Sequence, residues 1–148
     1  MKTKKANYEK IAKEFLEEAK KRMREDLISA ILFGSVPRGT AKEESDIDIL
    51  IIAKNLPSDW RKKDALLKDA QLKILKKYCV RVSPVFFNFN EKKEIISPLL
   101  YGVLTGYEVL YDPFNYWKES FSKFQLLIKK EKPIYMENNK KWELAKII

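Results

Sequence analysis

The sequence contains no histidine and a single cysteine, Cys79, among its 148 residues. Catalytic triads and Cys/His dyads need histidine, and zinc sites are built mostly from histidine and cysteine. One cysteine also cannot close a disulfide within the chain. Any chemistry must therefore use carboxylates, hydroxyls, lysines, arginines and a hard cation. Because Cys79 stands between Tyr78 and Val80, we expect its thiol to be free and buried.

Glycine, proline and long apolar runs are scarce as well. The chain has 4 glycines and 6 prolines, and 34% of its residues are charged, which excludes a collagen-like or low-complexity chain. No stretch approaches the roughly 20 apolar residues that cross a bilayer, and residues 1–5 are too charged for a signal peptide. We therefore expect a cytoplasmic protein with no membrane segment.

Positive charge is in excess, with a formal net charge of +9. Such an excess favours a polyanionic partner, which could be a nucleotide, a nucleic acid or an acidic protein surface. A solvated surface rich in lysine and glutamate explains the same composition equally well. Because the basic residues are spread over several predicted helices, nucleic-acid binding is not favoured.

Hydrophobic periodicity predicts alternating helices and strands. The predicted strands are 27–33, 47–53, 80–88 and 107–111, and Pro84 places the third of them at a bulge or a sheet edge. The predicted helices are 8–23, a segment capped near Ser58 that runs to Tyr78, 99–104, and a last one from Trp117. The tail from Glu131 has no clear period. We expect one domain over 1–148, with an N-terminal helix in 1–26, a core in 27–112, and a C-terminal helix and tail in 113–148.

A pair of aspartates begins the second predicted strand. Asp46 and Asp48 are two residues apart, so their carboxylates should point to one face of the sheet. Two oxygen ligands at a strand end can hold Mg²⁺, which keeps several waters and completes its shell with substrate phosphates. This pattern predicts a metal site at Asp46 and Asp48.

The loop before that strand is suited to phosphates. Gly34 lets the backbone approach a phosphate closely, and the Ser35 hydroxyl can bond a phosphate oxygen. Gly39 allows the loop to turn, while Arg38 and Lys42 place positive charge where a triphosphate would lie. The loop is therefore the candidate nucleotide-binding segment, although solvated loop charges are nearly as good an interpretation of Arg38 and Lys42.

The stretches Leu32–Thr40 and Ser45–Leu50 together resemble the signature of the minimal nucleotidyltransferases of the polymerase-beta-like superfamily. In that signature, glycine-serine precedes a paired aspartate motif by this spacing. The chain is also similar to the antitoxin members of the group that are encoded beside HEPN toxins. The resemblance implies an α/β (α+β) fold, in which a small mixed sheet is flanked by helices.

The same resemblance implies a reaction. Ser35 would contact the outer phosphates of ATP, and Asp46 and Asp48 would ligate Mg²⁺. An acceptor hydroxyl, on a partner protein such as a HEPN toxin or on a small molecule, would attack the α-phosphorus and receive AMP while pyrophosphate leaves. The chain would thus be a Mg²⁺-dependent nucleotidyltransferase.

One element of the pattern is absent. Active members of the superfamily usually carry a third carboxylate on a later strand, but the predicted strand 80–88 contains no acid. Glu91 lies just beyond that strand and is the candidate third ligand, although a solvated glutamate at a helix start fits the position better. Two other functions stay open: a weakly active or inactive module that neutralises a partner by contact, and a transferase acting on RNA ends.

Overall fold

A four-stranded sheet organises the computed structural model, which describes residues 4–41, 45–89, 103, 106–131, 134–136 and 141–143. The helices are α1 (Lys4–Met23), α2 (Ser35–Arg38), α3 (Trp60–Ala65), α4 (Lys68–Tyr78) and α5 (Tyr116–Glu131), and a 3₁₀ turn covers Arg24–Asp26. The strands of the sheet are β1 (Leu27–Phe33), β2 (Ile47–Ala53), β3 (Val82–Asn88) and β4 (Tyr107–Tyr111). Two short strands, β5 (Ile134–Met136) and β6 (Lys141–Glu143), pair with each other.

The strand order β3-β2-β1-β4 makes the sheet mixed. β1 runs antiparallel to both of its neighbours, and β2 runs parallel to β3. As a result, the end of β1 and the beginnings of the other three strands meet at one edge of the sheet. We call this the motif edge, and its terminal strand residues are Phe33, Ile47, Val82 and Tyr107.

Side chains alternate between two buried faces along the central strand β2. Ile47, Ile49 and Ile51 belong to a core formed with α1 and α4, in which Phe15 is fully buried. Residues of opposite parity, among them Leu50, pack in a second core with Trp117 of α5. We call these the α1 face and the α5 face. Because both faces are covered, β2 is apolar almost throughout its length.

Ion pairs join α1 to α4 on the outer side of the first core. Lys73 Nζ lies 2.7 Å from Glu18 Oε1, and Lys77 Nζ lies 2.5 Å from Glu14 Oε1. Exposed pairs of this kind add little to stability. The buried apolar residues therefore hold the two helices together, and the ion pairs favour one alignment of the helices.

A buried serine ties α5 to the sheet. Ser29 of β1 is fully buried, and its hydroxyl donates a hydrogen bond to Asp112 Oδ1 at 2.7 Å. The same carboxylate accepts hydrogen bonds from the backbone N–H groups of Trp117 and Lys118. Asp112 thus caps the first turn of α5 and fixes it against β1.

The predicted fold class and most of the predicted elements are confirmed. β1 and β2 have the predicted bounds, and the helix 8–23 and the strand 107–111 lie where the pattern placed them. Pro84 lies in β3, which is an edge strand, and the register between β2 and β3 is continuous, so the position is an edge without a bulge. Within the part of the chain that the structure describes, no helix has the length and apolar character needed to cross a membrane.

Other predictions are wrong. Cys79 is exposed, because α4 ends at Tyr78 and Cys79 turns the chain in a left-handed conformation (φ +55°) that points away from the core. The segment ending at Tyr78 is two helices, since Leu67 leaves the helical conformation and is fully buried, and Asp59 rather than Ser58 caps α3. In the tail, which has no clear period in the sequence, the described residues are the paired strands β5 and β6. The helix predicted over 99–104 stays a prediction, because all of it except Val103 lies outside the described residues.

Asp112→Ala should lower the free energy of unfolding by about 2 kcal/mol, because the buried Ser29 hydroxyl and the first turn of α5 both lose their acceptor. Urea unfolding at equilibrium measures this change. Adding Ser29→Ala to Asp112→Ala should lower the free energy of unfolding no further, or should raise it, because it removes a buried hydroxyl that has lost its hydrogen-bond acceptor. Fully additive losses in the double variant would contradict this role of Asp112.

Candidate functional site

The turn that follows β1 carries the glycine-serine pair of the motif. Gly34 has φ +83° and ψ −147°, and Gly39, at the end of α2, has φ +75°. Residues that carry a side chain rarely adopt a positive φ, so both positions favour glycine. Between them, Ser35 begins α2, and its carbonyl accepts a hydrogen bond from the Thr40 amide at 2.9 Å. The turn is therefore a closed unit held at the motif edge.

Gly34 lies directly against Asp48. The antiparallel register pairs Phe33 with Asp48, so the next residue along the chain passes over the Asp48 side chain. A Cβ atom on residue 34 would overlap Asp48 Oδ2. The sequence predicts Gly34 as a place of close backbone approach to a phosphate, and the structure adds that the missing side chain makes room for a carboxylate.

Asp46 and Asp48 lie together at the motif edge, and both are half-buried. Asp48 is on β2 with its side chain on the α5 face, whereas Asp46 lies one residue before the strand, not on it as expected. Burial raises the pKa of Asp48, the charge of Asp46 raises it further, and Arg38 partly opposes both effects. Two like charges in a partly dehydrated place are destabilising unless a cation binds them.

Arg38 reaches back across the same edge. Its Nε donates a hydrogen bond to the Gly34 carbonyl at 2.9 Å. Its aliphatic stem passes over Gly106, where an added Cβ would lie 2.5 Å from Arg38 Cγ. Gly106 therefore makes room for Arg38, a role that the sequence did not reveal because the two residues are far apart along the chain. The guanidinium is exposed and available to an anion.

The structure does not describe the two remaining predicted site residues. Lys42 and Glu91 lie outside the described residues, so their roles stay predictions. Within the described ranges, no group of three Asp, Glu, Cys or His side chains could hold a metal ion. The described donor set is thus a pair of carboxylates. Carboxylate oxygens with no nitrogen or sulfur ligand suit Mg²⁺, which takes one or two carboxylates and fills its other positions with water and phosphate.

A cavity of about 860 Å³ lies at the opposite end of the sheet. It is lined by residues near the start of β1 and the ends of β3 and β4, among them Arg24, Phe89 and Tyr111. None of its lining residues belongs to the motif. The paired carboxylates and the glycine turn lie at the motif edge, away from this cavity.

Comparisons with known sequences agree on one family. A family model described as a nucleotidyltransferase domain matches residues 9–105. A Methanocaldococcus jannaschii protein, provisionally named a protein adenylyltransferase, is 41% identical over 139 residues, which cover 93% of this chain and 95% of the relative. A second protein of that organism with the same provisional name is 36% identical over 94 residues, or 63% of this chain and 93% of the relative.

Solved structures share the fold at lower sequence identity. A structure from Sulfolobus solfataricus, provisionally named a nucleotidyltransferase, has a TM-score of 0.52 at 20% identity and covers 74% of this chain and 84% of its own. A structure described as a toxin-antitoxin with AMP-PNP has a TM-score of 0.53 at 18% identity, covering 81% and 92% of the two chains. These matches establish the similarity of the fold alone.

Alanine substitutions at Gly34 and Gly39 should distinguish the free-energy cost of backbone strain from that of steric overlap. Gly39→Ala should cost about 1 kcal/mol of stability, because its φ is unfavourable but nothing lies within 4 Å of the new Cβ. Gly34→Ala should cost about 3 kcal/mol, because strain is joined by overlap with Asp48. Chemical denaturation measures both losses. Gly34→Ala combined with Asp48→Ala should be more stable than Gly34→Ala alone, and equal losses at the two glycines would argue against the close approach.

Asp48→Asn should raise the thermal stability of the metal-free protein at pH 7. A raised pKa means that the folded state favours protonated Asp48, so stability from this group is present at low pH and lost as the pH rises through its folded pKa. The advantage of the variant should therefore shrink as the pH falls towards the ordinary pKa of aspartate. Melting curves in EDTA over a pH series test this, and a variant that is less stable than wild type at pH 7 would contradict it.

Proposed function

Because the chain belongs to the nucleotidyltransferase domain family, we propose that this enzyme transfers AMP from ATP, with Mg²⁺, to a hydroxyl group of a partner protein. The observation that carries the proposal is the meeting of the Gly34-Ser35 turn with Asp46 and Asp48 at one edge of the sheet. The phosphates and the metal must be adjacent for this reaction, and the contact of Gly34 with Asp48 supports a site that could hold both. We place the reaction in the cytoplasm, where ATP is available.

Each described residue of the site has a role in this proposal. Asp46 and Asp48 would hold Mg²⁺, and Ser35 and Arg38 would bind the outer phosphates. The bound cation would offset the negative charge that develops on the phosphates. The acceptor oxygen forms a bond to the α-phosphorus, the bond from that phosphorus to the bridging oxygen breaks, pyrophosphate leaves, and the acceptor proton passes to solvent. Lys42 and Gly39 would support the nucleotide side of the site, and Glu91 is the proposed third metal ligand.

The choice of nucleotide and acceptor is supported by the relatives. The 41% identical protein is provisionally named a protein adenylyltransferase, which means AMP transfer to a protein. A structure with the same fold is described as a toxin-antitoxin with AMP-PNP, an adenine nucleotide analogue. Both favour a protein acceptor, and a HEPN toxin encoded beside this chain is the partner that we propose. The excess of positive charge also suits a nucleotide substrate, whereas nucleic acid is not favoured.

A second function is favoured by one observation. Within the described residues, the aspartate pair has no third carboxylate beside it. General base catalysis contributes about 10²–10⁴ to a rate, so a chain without a base would be slow. Such a chain could still bind a nucleotide and neutralise its partner by contact. The same protein would then be a binding module that keeps the transferase fold.

Incubation with ATP labelled on the α-phosphate, Mg²⁺ and the protein encoded by the neighbouring gene should move the label to that protein. Asp46→Asn combined with Asp48→Asn should reduce transfer roughly a thousandfold or more, because both metal ligands lose their charge. Gel electrophoresis and mass spectrometry of the acceptor measure the transfer. Circular dichroism checks that the double variant is folded.

The controls separate the alternatives. If the double variant still neutralises the partner, contact alone explains the function and the binding module is correct. If label moves to RNA ends and to no protein, the acceptor is RNA. If the label stays in ATP with every acceptor while the nucleotide binds, the chain is an inactive member of the family.

A further inference from the structure

The edge strand β3 and the residue just before it bring two further polar residues to the motif edge. In the parallel register, Val82 pairs with Ile47 and Ser83 pairs with Asp48. The backbone N–H of Ile47 donates to the carbonyl of Arg81 at 2.9 Å, which places Arg81 beside Asp46. Neither Arg81 nor Ser83 belongs to the glycine-serine or aspartate motif. Both lie next to it because of strand pairing.

Alternation along β3 assigns Ser83 to the face that carries Asp48. Val82 and Phe86 pack in the core on the α1 face, whereas Val85 and Phe87 pack in the core on the α5 face. Ser83 has the parity of Val85, so its side chain lies on the α5 face. It is half-buried there, and no hydrogen bond of its hydroxyl is seen within the described ranges. A hydroxyl therefore occupies the position across from Asp48.

Arg81 adds positive charge to the motif edge. It is exposed, and it forms no ion pair with any described residue. Its backbone carbonyl accepts the Ile47 N–H, so Arg81 lies at the motif edge beside the start of β2. Arg38 and Arg81 are thus both at the motif edge, the first in the turn after β1 and the second just before β3.

We propose that Arg81 binds the outer phosphates of the nucleotide and that Ser83 limits the site to a single divalent cation. This inference rests on the proposed function and defines the site more closely. Sites that hold two divalent cations need additional anionic ligands to bridge and separate them, and a hydroxyl in the place across from Asp48 supplies no charge. Arg81 supplies instead the positive charge that a second cation would bring to the phosphates.

Mn²⁺ titrations followed by electron paramagnetic resonance test the cation count. The probe is Mn²⁺ with α,β-methylene-ATP, in which the α–β bridge cannot be cleaved. Wild type and the Ser83→Ala control should each bind one Mn²⁺ per chain in the ternary complex, and Ser83→Asp should bind a second, because it adds a carboxylate across from Asp48. A wild-type protein that binds two, or a folded Ser83→Asp variant that still binds one, would overturn the proposal.

Calorimetric titration with the same nucleotide tests Arg81. Arg81→Ala should raise the dissociation constant roughly tenfold to a hundredfold, because a charge-assisted contact to phosphate is lost. Arg81→Lys should recover part of the loss, and Lys62→Ala, which removes an exposed charge from α3, should have no effect. Unchanged affinity in Arg81→Ala contradicts this inference alone, whereas a wild-type protein that binds no nucleotide contradicts the proposed function itself.

Discussion

The close approach of Gly34 to the Asp48 carboxylate is the contact on which the rest of the site depends. It follows from the register between β1 and β2, which pairs Phe33 with Asp48 and carries the next residue across that side chain. Only a residue without a side chain fits there, and its φ of +83° is also one that favours glycine. The contact places a turn suited to phosphates beside a pair of acids suited to a cation, so the groups that the proposed reaction needs are brought together by the pairing of adjacent strands.

The fold supplies what this contact needs. β2 is held between two apolar cores, and its isoleucines fix the strand so that Asp48 stays on the α5 face beneath the turn. The partial burial that follows raises the pKa of Asp48, and the nearby charge of Asp46 adds to the effect. The two carboxylates therefore repel each other when no cation is bound, and this repulsion favours the binding of a cation. Arg38, positioned over Gly106, offsets part of that charge and is available to phosphate.

Much of this could be predicted from the sequence, and the parts that could not share a cause. β1 and β2 were predicted with their observed bounds because each is a short, mostly apolar run next to a turn, a pattern that reports local conformation directly. The exposure of Cys79 was missed because it depends on where α4 ends. The relation of Gly106 to Arg38, and of Ser83 to Asp48, was missed because both depend on how distant strands pair. A local motif predicts which chemistry is present, whereas strand pairing decides which residues surround it.

Anomalous diffraction from a crystal grown with Mn²⁺ and α,β-methylene-ATP would test the central claim most directly. We expect a manganese peak about 2.1 Å from carboxylate oxygens of both Asp46 and Asp48, a typical distance for a small hard cation, with the triphosphate against the turn at Gly34 and Ser35. A nucleotide bound in the cavity at the opposite end of the sheet, or a metal that contacts neither aspartate, would contradict it.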